Sequence, residues 1–220
     1  MKFAGMYLAI LLCFPLQAET NTIALIPDPG IRLIGVDIES VTFKGRQALR
    51  VTHRAGEDGG SLAILPGIDF KDGTIEYEFS GDVKPGSPAT ARGFTGLAFR
   101  VQANGSSYEC FYQRPLNGRS ESQEQRNHSI QYISMPDFPW QRLRKDTPSK
   151  YETYADMVPG EWVTVKIEVK GETARLYLNG ATQPTLIVND LKHAVSSGTL
   201  ALWVDIDSVS HFANLRVTRQ

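Results

Sequence analysis

With 220 residues, 41% hydrophobic and 21% charged, the chain is long enough for one globular domain with a real core and too apolar for a disordered one. Lys and Arg number 23 against 24 Asp and Glu, a formal net charge of -1. That balance gives no electrostatic reason to expect nucleic acid or an anionic membrane surface as partner, and favours a neutral ligand or one matched by local charge.

Met1 to Ala18 carries Lys2, the apolar run Phe3 to Phe14 and then Pro15-Leu16-Gln17-Ala18, the pattern of a secretory signal peptide cleaved after Ala18. Leu12 stands before Cys13 where a lipoprotein signal would have a small residue, and the run is too short to span a bilayer. The expectation is a signal peptide over 1–18 and one domain over 19–220, exported to the periplasm or secreted, with no transmembrane segment. Beyond Ala18 the only cysteine is Cys110, so no internal disulfide is available. Set in an aromatic strand pattern, Cys110 reads as a small buried hydrophobe rather than a nucleophile.

Glu19 to Gly35, with Pro27, Pro29 and Gly30, reads as a loop. Gln47 to Thr52 and Ser61 to Leu65 read as short strands on either side of the turn-rich Ala55 to Gly60. Gly73 to Ser80 alternates, with Ile75, Tyr77 and Phe79 on one face and Glu76 and Glu78 on the other, as a strand covering a core on one side must. Gly81 to Pro88 reads as a loop. Phe94 to Gln102 alternates again, and Asn104-Gly105 predicts a tight hairpin into Ser107 to Arg114, because both turn residues tolerate positive φ. Pro115 to Asn127 is a long polar excursion; Ser129 to Ser134 returns as a strand. Pro136 to Pro159, with Pro139 and Pro148 between them, reads as a long ordered loop and not a helix.

The last third is the most regular. Trp162 to Val169 alternates, Lys170-Gly171-Glu172 turns, Ala174 to Leu178 returns and Asn179-Gly180 turns again; Leu186 to Val188, Gly198 to Val204 and Phe212 to Thr218 follow. A short helix near Asp190 to Ala194 is the only amphipathic candidate. Many short strands at regular spacing predict an all-β, antiparallel two-sheet jelly-roll sandwich.

Gly160-Glu161-Trp162, Val165 to Val169, Ala174 to Gly180, Ala201-Leu202-Trp203 and Phe212 to Val217 together resemble the concanavalin A-like lectin/glucanase superfamily. Within it the chain is most similar, from about Gly73 to Val217, to the 3-keto-disaccharide hydrolase family; laminin-G-like domains share the C-terminal pattern. The resemblance implies two antiparallel sheets with a carbohydrate groove on the concave one. It also implies cleavage of glycosides oxidised at C3 by proton abstraction beside the ketone.

Tyr108 to Tyr154 concentrates Arg, Gln, Asn, His, Tyr and Trp, side chains with planar faces and forked donors suited to sugars. One candidate set is His128 as base, Arg126 as electrophile and Tyr132 as acid; the alternative is a structural His128 and a core Tyr132. A second is a binding surface of Arg100, Glu109, Arg114, Gln131, Trp140, Arg142 and Arg144. Its alternative has Arg114, Arg142 and Arg144 pinning the loop through Glu109, Glu152 and Asp156. Glu76 and Glu78 share a strand face as a glycosidase acid and nucleophile would, though a solvated sheet face explains them more simply. Asp205-Ile206-Asp207 is a candidate element of a structural calcium site, which such folds often carry; no catalytic metal or other cofactor is indicated. The function expected is carbohydrate-active, with a non-catalytic binding module or an adhesion domain as alternatives.

Overall fold

The computed structural model describes residues 19–56, 60–193 and 196–220. The signal-peptide expectation for 1–18, the middle of the Ala55 to Gly60 turn and the end of the Asp190 to Ala194 segment lie outside them.

In chain order the strands are β1 (Thr20–Thr22), β2 (Arg32–Ile34), β3 (Val36–Phe43), β4 (Arg46–His53), β5 (Ser61–Ile64), β6 (Gly73–Val83), β7 (Thr95–Val101) and β8 (Tyr108–Gln113). Two short helices follow, α1 (Pro115–Gly118) and α2 (Gln123–Asn127), then β9 (Ile130–Met135), α3 (Trp140–Asp146) and β10 (Glu152–Thr153). The chain ends with β11 (Val163–Lys170), β12 (Thr173–Leu178), β13 (Leu186–Val188), β14 (Thr199–Val204) and β15 (Ser208–Arg219).

One sheet runs β13-β12-β11-β6-β15-β4-β3, with β1 added against β15; the other runs β10-β9-β8-β7-β14-β5-β2. Every pairing is antiparallel, as the two-sheet jelly-roll expectation requires. Ile75, Tyr77 and Phe79 of β6 are buried to within 1%, and Val163, Val165, Ile167 and Val169 of β11 continue that inner face. The outer face of this sheet is wet. Glu78 pairs with Arg46 and accepts from Asn214, and Glu76 lies 3.7 Å from Arg216.

The second sheet behaves differently. Every residue of β7 and β8 is buried, so both faces are covered, and the cover is the segment between β8 and β10. Pro136 to Pro159 therefore corrects the loop expectation: α3 occupies Trp140–Asp146, with Pro139 at its N-cap and Leu143 buried beneath it. The prolines flank this helix instead of interrupting it, which is where proline is tolerated. The polar excursion likewise holds two short helices, α1 opened by Pro115 and α2 capped by the Ser122 hydroxyl accepting from the Gln125 N–H.

Candidate functional site

Two adjoining hollows lie where α1, α2 and α3 cover the second sheet. The larger, about 310 Å³, is bounded by Phe94 ahead of β7, Arg114 after β8, Asn117 of α1, His128 at the C-cap of α2, and Trp140 and Arg144 of α3. The smaller, about 140 Å³, lies over β8, β9 and β14 and shares Trp140 as a wall.

Arg114 organises the larger hollow. Its Nη1 donates to the His128 carbonyl and its Nη2 to the Tyr112 hydroxyl, both at 2.6 Å. The guanidinium stacks over the rings of Tyr112, Phe94 and Trp140 at 4.9, 5.6 and 5.9 Å. It is 5% exposed and, among the described residues, has no carboxylate within ion-pair distance. Burial draws its pKa down from the ordinary value, yet a guanidinium stays charged at neutral pH. It is a fixed positive charge with room for a partial negative charge beside it.

The His128 Nε2 lies 3.3 Å from Oε1 of Glu152. That carboxylate, nearly buried on β10, also receives Arg144 as a fork, Nη2 at 2.7 Å and Nε at 3.1 Å. Arg144 in turn stacks on Trp140 at 4.6 Å. Burial lowers the His128 pKa, Glu152 raises it in part, and the positive charges of Arg144 and Arg114 lower it again. The net is an imidazole neutral at pH 7, with Nε2 beside the Glu152 carboxylate and Nδ1 left to act.

The structure brings together His128, Arg114, Trp140 and Arg144 and separates the other expected residues from them. Arg126 stacks over the ring of Tyr154 at 4.8 Å and donates to its hydroxyl. His128 closes a helix in which Arg126 sits two residues earlier, about 200° around the axis, so the two side chains diverge. Tyr132 is fully buried; its hydroxyl donates to Glu109 and accepts from the Lys192 N–H, and burial pushes its pKa far up. It is a core residue. Glu109, also fully buried, accepts the His193 N–H as well. Gln131 is buried and donates its amide to the carbonyls of Tyr132 and Tyr151.

Arg100 is 2% exposed, at φ 54°, and donates to Asp72 and to the carbonyls of Lys71 and Gly171. The irregularity opposite Thr199 and Ala201 turns it away from the site. Arg142 projects from α3 over the ring of Phe138 and donates to the Asp137 carbonyl, away from the hollow. Of the pinning pairs considered, Arg144 with Glu152 forms; Arg119 takes Asp156. Glu76 and Glu78 line a separate hollow on the other sheet with Thr164, Asn214 and Arg216.

The sequence reading missed Phe94, Tyr112, Asn117 and Trp203. A signal was available for two of them: Gly96 sits in register between Tyr112 and Trp203, and an added Cβ there would meet the Tyr112 Cα and Cβ at 2.7 Å. The missing side chain lets those rings stack across it at 4.6 Å. Asp205-Ile206-Asp207 makes the turn between β14 and β15: Asp205 accepts the Ile206 N–H and Asp207 takes φ 59°. Among the described residues no three His, Cys, Asp or Glu side chains converge as metal ligands, and this pair does not furnish a calcium cage.

A two-sheet concanavalin A-like sandwich with a polar and aromatic site under its helical cover is the class these features define. The pattern of the 3-keto-alpha-glucoside-1,2-lyase-like domain matches residues 40–218, and the chain belongs to that family. No curated protein matches by sequence. Among solved structures, carbohydrate-binding module CBM66 of Bacillus subtilis is 15% identical, with a TM-score of 0.60, covering 86% of this chain and 95% of its own. A Bacillus subtilis protein of unknown function with a galectin-like fold is 14% identical, with a TM-score of 0.55, over 86% of this chain and 90% of its own.

Proposed function

We propose that the larger hollow binds a glycoside oxidised to a ketone at C3 and eliminates its aglycone, in a protein exported to the periplasm or secreted. The observation that carries this reading is the pairing, in one hollow, of a neutral imidazole with a buried guanidinium that has no carboxylate partner among the described residues. The ketone acidifies the neighbouring C2–H. His128 Nδ1 takes that proton, and the C–H electron pair moves onto the C3 oxygen as an enolate opposite Arg114. The enolate then reforms the ketone as the C1–C2 double bond forms and the C1–O bond breaks. The imidazolium returns its proton to the departing alkoxide. Trp140 offers a flat apolar face for the sugar ring, and Glu152, fixed by Arg144, orients His128. Family membership supports the reaction type.

The test is incubation of purified protein with 3-keto-disaccharides and their unoxidised parents, following released monosaccharide. Release from the keto forms alone, lost in His128→Ala with binding largely intact, is the expected result. Release from the parents would overturn it. A carbohydrate-binding module without turnover is the second reading, favoured by the likeness to CBM66; saturable sugar binding with no release from either set would select it.

A further inference from the structure

We infer that the smaller hollow is the seat of the leaving group, and that the preferred aglycone carries an aromatic ring; the inference rests on the elimination reading above. Continuity comes first. Trp140 is a wall of both hollows, and Tyr112, which lines the smaller one, receives Arg114 from the larger. A sugar seated over Arg114 and His128 therefore points its C1 substituent past Trp140 into the aromatic space.

Size and lining fix the class. The hollow measures about 140 Å³, and an apolar cavity of about 150 Å³ holds one benzene ring. Tyr112 and Trp203 stack at an interplanar angle of 29°, Trp140 adds a third ring to the lining, and Met135 supplies a pliable thioether wall. The Trp203 indole N–H is fully buried beside the Tyr108 hydroxyl and adds no donor to the hollow. A second hexose would instead bring several hydroxyls against aromatic faces, with only Tyr108, Tyr112, Gln141 and Asp205 as polar groups to meet them. Hydroxyls buried without partners are costly.

The experiment compares kcat/KM for the benzyl, methyl and glucosyl 3-keto-glucosides, the first two having leaving alcohols of like acidity. Benzyl should exceed methyl by roughly tenfold to a hundredfold, the worth of burying one phenyl ring, and should exceed glucosyl. Gln141 is exposed on α3 and edges this hollow, so Gln141→Phe fills it from outside while sparing the core; the benzyl-to-methyl ratio should collapse toward one. A wild-type ratio near one, a preference for glucosyl, or a ratio unmoved by Gln141→Phe overturns the inference while leaving the elimination standing. If no keto-glycoside turns over, unoxidised benzyl and methyl glucosides are titrated by tryptophan fluorescence. Saturable binding of benzyl alone, weakened in Gln141→Phe, upholds the hollow although the reaction fails; equal binding or none overturns both.

Discussion

The His128 imidazole is held by Glu152, 3.3 Å from Nε2 to Oε1, and Glu152 is itself clamped by the Arg144 fork. A carboxylate beside one nitrogen favours the tautomer that carries its proton there and leaves the other nitrogen as the base. Glu152→Gln should therefore lower kcat about tenfold to a hundredfold, the range seen when a group orienting a histidine is removed, with little change in KM. Because Glu152 raises the His128 pKa, the acid limb of the pH profile should move to lower pH. A Glu152 that merely pinned α3 would lower Tm and leave that limb in place.

Burial, with help from Arg144 and Arg114, keeps the His128 pKa below its ordinary value of 6.5. The sign follows directly. The neutral base is favoured in the folded protein, so its contribution to stability is complete above 6.5 and is lost as pH falls through the lower folded value. Activity should follow the same group: the acid limb of kcat/KM has its midpoint below pH 6.5. An acid limb at or above 6.5 would assign the titration to another group.

Tyr132→Phe separates a catalytic acid from a core residue. Loss of its hydroxyl leaves Glu109 and the Lys192 N–H short of a partner, which should cost about 1–3 kcal/mol. Thermal unfolding should shift down by several degrees while kcat and KM stay near wild type. A large fall in kcat at unchanged Tm would restore Tyr132 to the chemistry.

Arg100→Met tests the other displaced residue. Its guanidinium satisfies Asp72 and two carbonyls at the far end of β7, so its removal should destabilise by about 3 kcal/mol. KM should not move; a raised KM with normal stability would place Arg100 on the substrate after all.

The scaffold was legible wherever one strand face meets water. Ile75, Tyr77 and Phe79 alternate with Glu76 and Glu78 because β6 is buried on one side only. β3 escaped the sequence reading, since an edge strand with mixed burial carries little alternation. The site was legible as a segment but not as a set of residues. Trp140 and Arg144 stand four apart in a helix that the surrounding prolines conceal, and Arg126 and His128 look like neighbours only until the polar excursion is seen to end in a helix. A bulge and a positive φ turned Arg100, and neither leaves a mark in the sequence around it.

The most direct measurement is release of the aglycone from a 3-keto-glucoside carrying deuterium at C2, beside its protio form and the unoxidised parent. Elimination begun by His128 predicts a several-fold slower release from the deuterated substrate and none from the parent. Equal rates for the two isotopic forms together with release from the parent would contradict proton abstraction as the function of this site.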